Sequence, residues 1–382
     1  YTMNANTSAQ DTVILPPAML GMLGGGQLGR FFVIAAHEMG YKVTVLDPDS
    51  NSPAGKIADA HICAAFDDQA ALLKLANTCA AITTEFENVP AESLSLLADI
   101  KPVRPSAYSV AIAQHRVSEK NFLKQAGLPV APFVVINQAE DLPADGDAIY
   151  PAILKVARFG YDGKGQVRVK DAAALRAAWQ DLKQVPCVLE KMLPLALECS
   201  VIVARGRDGQ MVNFPVQRNL HRDGILAVTE VYEGHLPAAL QQQAVAAARS
   251  IADGVKYVGV LCVEFFVLQD GSMVVNEMAP RPHNSGHYTL DACDQSQFDL
   301  QVRTLAGLPL TQPRQHSAAI MLNLLGDVWF DAQGVMRLPD WAAVLALPGT
   351  HLHLYGKTEA RKARKMGHLN VTGASAAQVR DV

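Results

Sequence analysis

Two acidic positions are conspicuous for their setting. Glu264 interrupts the apolar run "VLCVEFFVL", and Asn276 and Glu277 close the run "MVVNEMAP". The first run reads as a strand buried on both faces, where even a neutral polar group without a partner costs roughly 2 to 7 kcal/mol. Something must compensate Glu264. Two carboxylates and an amide on neighbouring strands form a cluster of hard oxygens, and two adjacent anions call for a cation. Magnesium held between carboxylates and substrate phosphates meets that need. A salt bridge to Arg281 is the structural alternative.

A second group of residues points to phosphate. In "PAILKVARFGYDGKGQVRV", residues 151–169, a strand carries Lys155, a hairpin rich in glycine follows, and a second alternating strand closes the stretch. A fixed ammonium and uncovered backbone N–H groups are what polyphosphate oxygens accept. In "VLEKMLPLALECSV", residues 188–201, a strand ending at Glu190 could present its backbone to an adenine edge. Glu198, eight residues on, could meet ribose hydroxyls; an edge strand with solvated charges accounts for the same residues.

Three further motifs stay open at this level. Gly24, Gly26 and Gly29 in "GGGQLG" follow a strand, and Asp47 ends the next one, which is the dinucleotide fingerprint of NAD-dependent enzymes. A tight strand-to-helix turn fits equally, as does a helix N-terminus cradling one phosphate with Gln27 as a donor. "HNSGH" spaces His283 and His287 like two ligands on a helix, but the neighbouring prolines and the N-S-G centre argue against a helix, and so against zinc. "RKARKMGH", residues 361–368, is either a solvated basic face or a clamp for charge.

The frame that must hold these residues is legible in outline. From residue 18 the chain alternates apolar strands with helices near 27–39 and 68–79, the pattern of a parallel α/β sheet. Ser106 can cap a long helix that runs to Gly127 and bridges two domains. Strands then dominate, at 130–136, 152–156, 166–170, 187–192, 199–205, 211–218 and 225–231. Such a run predicts an α+β domain with antiparallel sheet. An alanine-rich helix is expected over 237–253. Four segments follow: a loose tail over 1–17, an α/β domain over 18–115, a second domain over 116–310 with a lid at about 150–203, and a small domain over 311–382.

Composition limits the function. The 382 residues are 49% hydrophobic and 18% charged, ordinary values for a globular protein. With 33 Lys and Arg against 37 Asp and Glu, the net charge of −4 gives no footprint for nucleic acid or an anionic membrane. Six scattered cysteines without a C-x-x-C pair predict reduced thiols and a cytoplasmic protein. No run approaches a membrane span, and the first 17 residues lack the layout of a signal peptide.

Taken together, "GGGQLGR", "TTEFENVP", "GYDGKGQ", "NEMAPRPHNSGHYT" and the closing "YGK…RKMGH" resemble the ATP-grasp enzymes. Within them they resemble the N5-carboxyaminoimidazole ribonucleotide synthetase family of purine biosynthesis, from residue 18 to residue 382. The resemblance implies an ATP-grasp fold with an N-terminal pre-ATP-grasp, Rossmann-like domain and a small C-terminal domain. ATP would lie between two sheets. Arg116 and Lys155 would meet its phosphates under the loop Phe159, Gly160, Tyr161, Asp162, Gly163, Lys164, Gly165 and Gln166. Glu190, Lys191, Met192 and Leu193 would line the adenine, with Glu198 on the ribose and His221 nearby.

The same resemblance assigns Glu264, Glu277 and Asn276 to one or two magnesium ions. It implies that the ribonucleotide meets Glu85, Tyr161, Asp162, Lys164, Arg281, Lys357, Arg364 and Lys365, beside Gly26, Gln27 and Leu28. Lys164 stands where the family commonly has arginine, which keeps the charge and loses the bidentate fork. Asp162 is the expected base, Lys365 steadies the new carboxylate, and Lys155 assists phosphoryl transfer. A homodimer is implied. A dehydrogenase explains only the glycine turn, and a non-catalytic nucleotide regulator has no use for the acids and bases present.

Overall fold

The computed structural model describes residues 12–160 and 164–382. Among them the chain forms three sheets. The first contains β1 (Met19–Leu23), β2 (Lys42–Leu46), β3 (Ala60–Ile62) and β4 (Ala81–Thr84), all parallel, in the order β3-β2-β1-β4. The helix Gln27–Glu38 begins directly after the glycine turn and buries Phe31, Phe32, Val33, Ala35 and Ala36 against this sheet. Of the expected tail over 1–17, residues 1–11 lie outside the described residues. Ile14 donates its N–H to the Ala306 carbonyl and accepts from the Tyr41 hydroxyl.

The second sheet joins β5 (Phe133–Ile136), β6 (Ala152–Val156), β7 (Gln166–Val169) and β8 (Cys187–Lys191) in antiparallel order β5-β8-β6-β7. Its core takes Leu175, Ala178 and Trp179 from the helix Ala172–Asp181, which the sequence reading passed over although Asp171 caps it. The unit therefore spans 133–191 rather than 150–203. Pairing decides this: β5 needs β8 as its partner, whereas residues 195–205 pair elsewhere.

The third sheet holds β9 (Leu195–Arg205), β10 (Met211–Asn213), β11 (Gln217–Arg222), β12 (Ile225–Val231), β13 (Gly259–Leu268), β14 (Met273–Ala279), β15 (Ala318–Leu325), β16 (Thr350–Leu354) and β17 (Lys365–Gly373). Among the described residues its order is β14-β13-β9-β11-β12-β15-β17-β16, with β10 on the flank of β9. The strand expected over 211–218 is thus two, broken at Pro215, which has no N–H to give a ladder. Residues 318–373 add their three strands to this sheet through the β12–β15 pairing. The helix Ala238–Gly254 covers one face with Ala244, Ala248 and Ile251.

The long bridge helix is also two. Ser106 caps Ala107–Gln114 by accepting from the Ser109 N–H, and Gly127 takes the left-handed conformation as expected of a helix stop. Between them His115 is extended (φ −126°, ψ 110°), and the helix restarts at Arg116–Gln125. The Arg116 N–H donates to the Ala157 carbonyl at 2.9 Å instead of continuing the first helix. That break puts Arg116 at a helix start facing the cleft. No helix among the described residues is long and apolar enough to cross a membrane. All six cysteines are free thiols.

Candidate active site

The four-stranded and nine-stranded sheets face each other across a cleft of about 1360 Å³, counting the solvent at its mouth. The period-two alternation of β13 builds its floor. Val263, Phe265 and Val267 enter the core beneath the Ala238–Gly254 helix, so Glu264 and Phe266 face the cleft. Glu264 pairs in register with Glu277 of β14, and the ladder is irregular between Glu264 and Phe265. Burial and then the Glu277 charge push the Glu264 carboxyl well up. Burial acts against Glu277 as well, yet the Arg116 guanidinium, the bond from Glu264 and Lys155 hold it below the usual carboxylate range. Two carboxylic acids opposed across one ladder, each disfavouring the other's charge, have the electrostatics of a seat for a cation.

The helix Arg116–Gln125 braces this pair with one face, as spacings of three and four residues allow. Arg116 reaches Glu277 at 3.0 Å, Glu119 accepts from the Met278 N–H at 2.6 Å, and Lys120 donates to the Asn276 carbonyl at 3.1 Å. Burial raises the Glu119 carboxyl to about 8. The side-chain oxygen of Asn276, Oδ1, is buried without a hydrogen-bond partner among the described residues. An orphaned acceptor beside two carboxylates is the donor chemistry of a hard cation.

Lys155, in the middle of β6, is buried, and its Nζ lies 2.9 Å from Glu190 on the adjacent β8. Lys120 reaches the other oxygen of the same carboxylate at 3.2 Å. Burial lowers the Lys155 ammonium, and the Glu190 charge opposes the loss of its proton. Glu190 thus serves through its side chain as the counter-ion of two lysines. Next to it the Lys191 N–H donates to the Pro132 carbonyl and the Met192 N–H to the Pro151 carbonyl. Glu198 and His221 face each other at 2.5 Å on β9 and β11 and line the cleft.

Arg281, expected as a substrate ligand, lines the cleft and forks onto Glu87 at 2.6 and 3.3 Å. Burial would raise Glu87, but the guanidinium outweighs it and holds the carboxyl low. The purely structural alternative for Glu264, a salt bridge to Arg281, is therefore not what forms. His283 instead approaches Glu264 at 3.4 Å, and burial, Arg281 and Lys365 keep its ring well below the usual imidazole range.

Of the residues expected to act, Arg116, Lys155, Phe159, Gly160, Gln166, Glu198, His221, Glu264, Asn276, Glu277, Arg281 and Lys365 line this one cleft. Phe159 is 69% exposed and has positive φ (63°), a costly backbone for an aromatic residue. Tyr161, Asp162 and Gly163 lie outside the described residues. Lys164 is exposed, and Arg364 donates to the Glu359 carbonyl; neither lines the cleft. Leu28 points into the core of the first sheet, so its side chain cannot meet a polar ligand.

Glu85 bears on the dinucleotide reading of the glycine turn. Its carboxylate accepts from the Gly26 N–H at 2.5 Å and the Gly29 N–H at 2.7 Å, while Asp47 accepts from Gly25 at 2.7 Å. The Gly25, Gly26 and Gly29 N–H groups are thus taken by the protein's own carboxylates and do not cradle a pyrophosphate. A Cβ on Gly26 would stand 2.6 Å from Glu85 Oε1, which explains the glycine. Lys357, which also lies within the field of Glu85, donates to the Lys365 carbonyl at 2.7 Å.

Sequence reasoning missed Lys120, Glu119 and Glu87, and weighed His283 only as a zinc ligand. The first two sat inside a helix read only as a bridge, where the i, i+3, i+4 spacing from Arg116 was the available signal. Glu87 lay inside a quoted motif without a role.

Comparison with known proteins supplies independent witnesses. Residues 121–298 match the ATP-grasp domain model, residues 18–114 the ribonucleotide synthetase preATP-grasp domain, and residues 319–382 the phosphoribosylaminoimidazole carboxylase C-terminal domain. The N5-carboxyaminoimidazole ribonucleotide synthase of Brucella melitensis is 42% identical over 94% of this chain and 97% of its own. That of Bacillus subtilis is 40% identical over 94% and 92%. The Staphylococcus aureus synthetase complexed with ADP superposes with a TM-score of 0.89 at 36% identity, covering 98% of both chains. An Aspergillus clavatus enzyme in complex with ADP and 5-aminoimidazole ribonucleotide gives 0.83 at 31% identity, over 95% of this chain and 96% of that one.

Proposed function

The chain belongs to the N5-carboxyaminoimidazole ribonucleotide synthase family of ATP-grasp ligases, and on that premise we propose how its residues divide the reaction. The substrates are ATP, bicarbonate and 5-aminoimidazole ribonucleotide. Transfer of the γ-phosphoryl group to bicarbonate gives carboxyphosphate and ADP, and the exocyclic amine then attacks the activated carbon to give the N5-carboxy product and phosphate.

Lys155, oriented by Glu190, and Arg116 meet the triphosphate and offset the charge that develops during transfer. Glu198 holds the nucleotide ribose, with His221 behind it. Glu264, Glu277 and the unpartnered Asn276 Oδ1 fit magnesium, which when bound supplies charge neutralisation on the phosphates. Lys365 steadies the carboxylate that forms, Arg281 and Lys357 bind the ribonucleotide, and Asp162 takes the amine proton. Phe159 and Gly160 begin the loop that would shield carboxyphosphate from water.

The observation that carries this reading is the pair Glu264 and Glu277, opposed in register on the floor of the cleft that also holds Lys155 and Arg116. A coupled ADP-release assay with bicarbonate, with and without the ribonucleotide, tests it. Strong dependence on both the ribonucleotide and magnesium is expected; turnover indifferent to either would sink the reading. Release driven by a different purine-pathway amine would favour another ligase of the same fold. The premise also makes a homodimer in the cytoplasm the expected state; sedimentation of the purified chain checks the dimer.

A further inference from the structure

Beneath the end of the cleft lies a stack of three imidazoles that the reaction above does not use. The His287 and His368 rings lie 4.4 Å apart at 12°, and the His353 and His368 rings 4.5 Å apart at 21°. The three come from distant parts of the chain. His353 and His368 are cross-strand partners on β16 and β17, while His287 follows the turn Asn284–Gly286, whose first residue lines the cleft. Phe31, from the helix that starts at Gln27, touches all three rings at 5.6 to 5.8 Å.

The polar surroundings are sparse and specific. His353 meets Asp291 at 2.7 Å, and His351 approaches the same carboxylate at 3.5 Å. His287 meets the Asn284 amide oxygen at 3.2 Å and the Gln297 amide at 3.5 Å. His368, the central ring, has the Tyr355 hydroxyl at 2.8 Å on Nδ1, and its buried Nε2 has no partner among the described residues. An imidazolium needs two acceptors, so the middle ring is built to stay neutral. Asp291 gives the outer ring, His353, the one carboxylate in contact with the stack among the described residues.

The stack sits behind the lysines of the proposed ribonucleotide site. Lys365 opens β17 three residues before His368, and Lys357 follows Tyr355 by two and stands 5.7 Å over its ring. The glycine turn lies one helical turn before Phe31. We propose that His368 is a positioning residue for the carboxylation: its neutral ring, clamped between His287 and His353 and tied to Tyr355, sets Lys357 and Lys365 at the end of the cleft. This rests on the placement of the ribonucleotide beside those lysines.

The experiment compares KM for the ribonucleotide with KM for ATP in His368→Ala, His368→Phe and Lys365→Ala. Removing the ring in His368→Ala should raise the ribonucleotide KM at least tenfold and leave the ATP KM within twofold. His368→Phe keeps a flat neutral ring but loses the tie to Tyr355, so it should recover part of that loss. A merely structural ring would shift both constants together, or lower the melting temperature with neither changed, and either result overturns the proposal. Should His368→Ala fail to fold, Tyr355→Phe removes only the polar tie and should raise the ribonucleotide KM severalfold; an unchanged value overturns the proposal. If Lys365→Ala leaves the ribonucleotide KM unchanged, the placement itself is wrong. If it raises that KM and the His368 variants do not, the positioning role alone fails.

Discussion

Replacing Glu190 by glutamine removes one negative charge from between two buried ammonium groups and changes almost nothing in shape. In the native protein its oxygens lie 2.9 Å from Lys155 and 3.2 Å from Lys120, with all three side chains at most 6% exposed. At an effective dielectric constant of about 20, each contact represents roughly 5 kcal/mol of attraction before desolvation is subtracted. Measured losses on breaking a buried pair run at about 3 to 5 kcal/mol, and that is the expected cost here. Urea unfolding followed by Trp179, which packs in the core of the four-stranded sheet, reads it in a Trp329→Phe, Trp341→Phe background. The sign with pH is fixed. Lys155 is already held below its unfolded value of 10.5, and loss of Glu190 pushes it lower. Between the two values the unfolded chain binds more protons, so stability rises with pH in that window. The deficit of Glu190→Gln should therefore shrink from pH 7 towards pH 10. ATP at a hundredfold excess over its dissociation constant should return about 2.7 kcal/mol. A cost below about 1 kcal/mol, or one that ignores pH, would refute the claim that a single carboxylate compensates both lysines.

Other outcomes follow from the same site. Lys155→Met removes a charge-assisted contact to phosphate of about 1.5 to 3 kcal/mol, so kcat/KM for ATP should fall roughly 10- to 150-fold in steady-state assays. Asp162→Asn should leave ATP binding intact by calorimetry and abolish carboxylation; unaltered turnover would remove Asp162 as the base. Gly26→Ala drives a methyl group into Glu85 and should cost about 1 to 3 kcal/mol in thermal or chemical unfolding. Burial holds His287 at about 3 and His368 well below 6.5. Their contribution is complete above pH 6.5 and is lost as pH falls towards 3, by up to about 1.4 kcal/mol per pH unit for each ring. Urea titrations at pH 7 and pH 5 check this.

What the sequence made legible was whatever is local in the chain. The parallel sheet follows from alternating apolar runs and helical periods, and Glu264 betrayed itself by interrupting such a run. The glycine turn was found, but its filling was not, because Glu85 stands 59 residues from Gly26. The break at His115 has no local breaker; it is imposed by a hydrogen bond from Arg116 to Ala157. Lys120, in turn, looks like any solvated helix lysine until Glu190 and the Asn276 carbonyl are brought to it across 70 and 156 residues. Pairings at such separations leave no periodicity to read.

The β12–β15 pairing has a consequence for how the chain is made. Until residues 318–325 arrive, the Val228 to Val231 edge of the large sheet has no neighbour on that side, and an open edge invites pairing with other chains. At roughly 5 to 20 residues per second, residues 311–382 take about 4 to 14 s to leave the ribosome. During that interval the nascent protein carries its ATP cleft beside an unfinished margin. Synthesis stalled there should yield aggregates rather than a smaller working enzyme, and a chaperone that shields β-edges should be most needed late in translation.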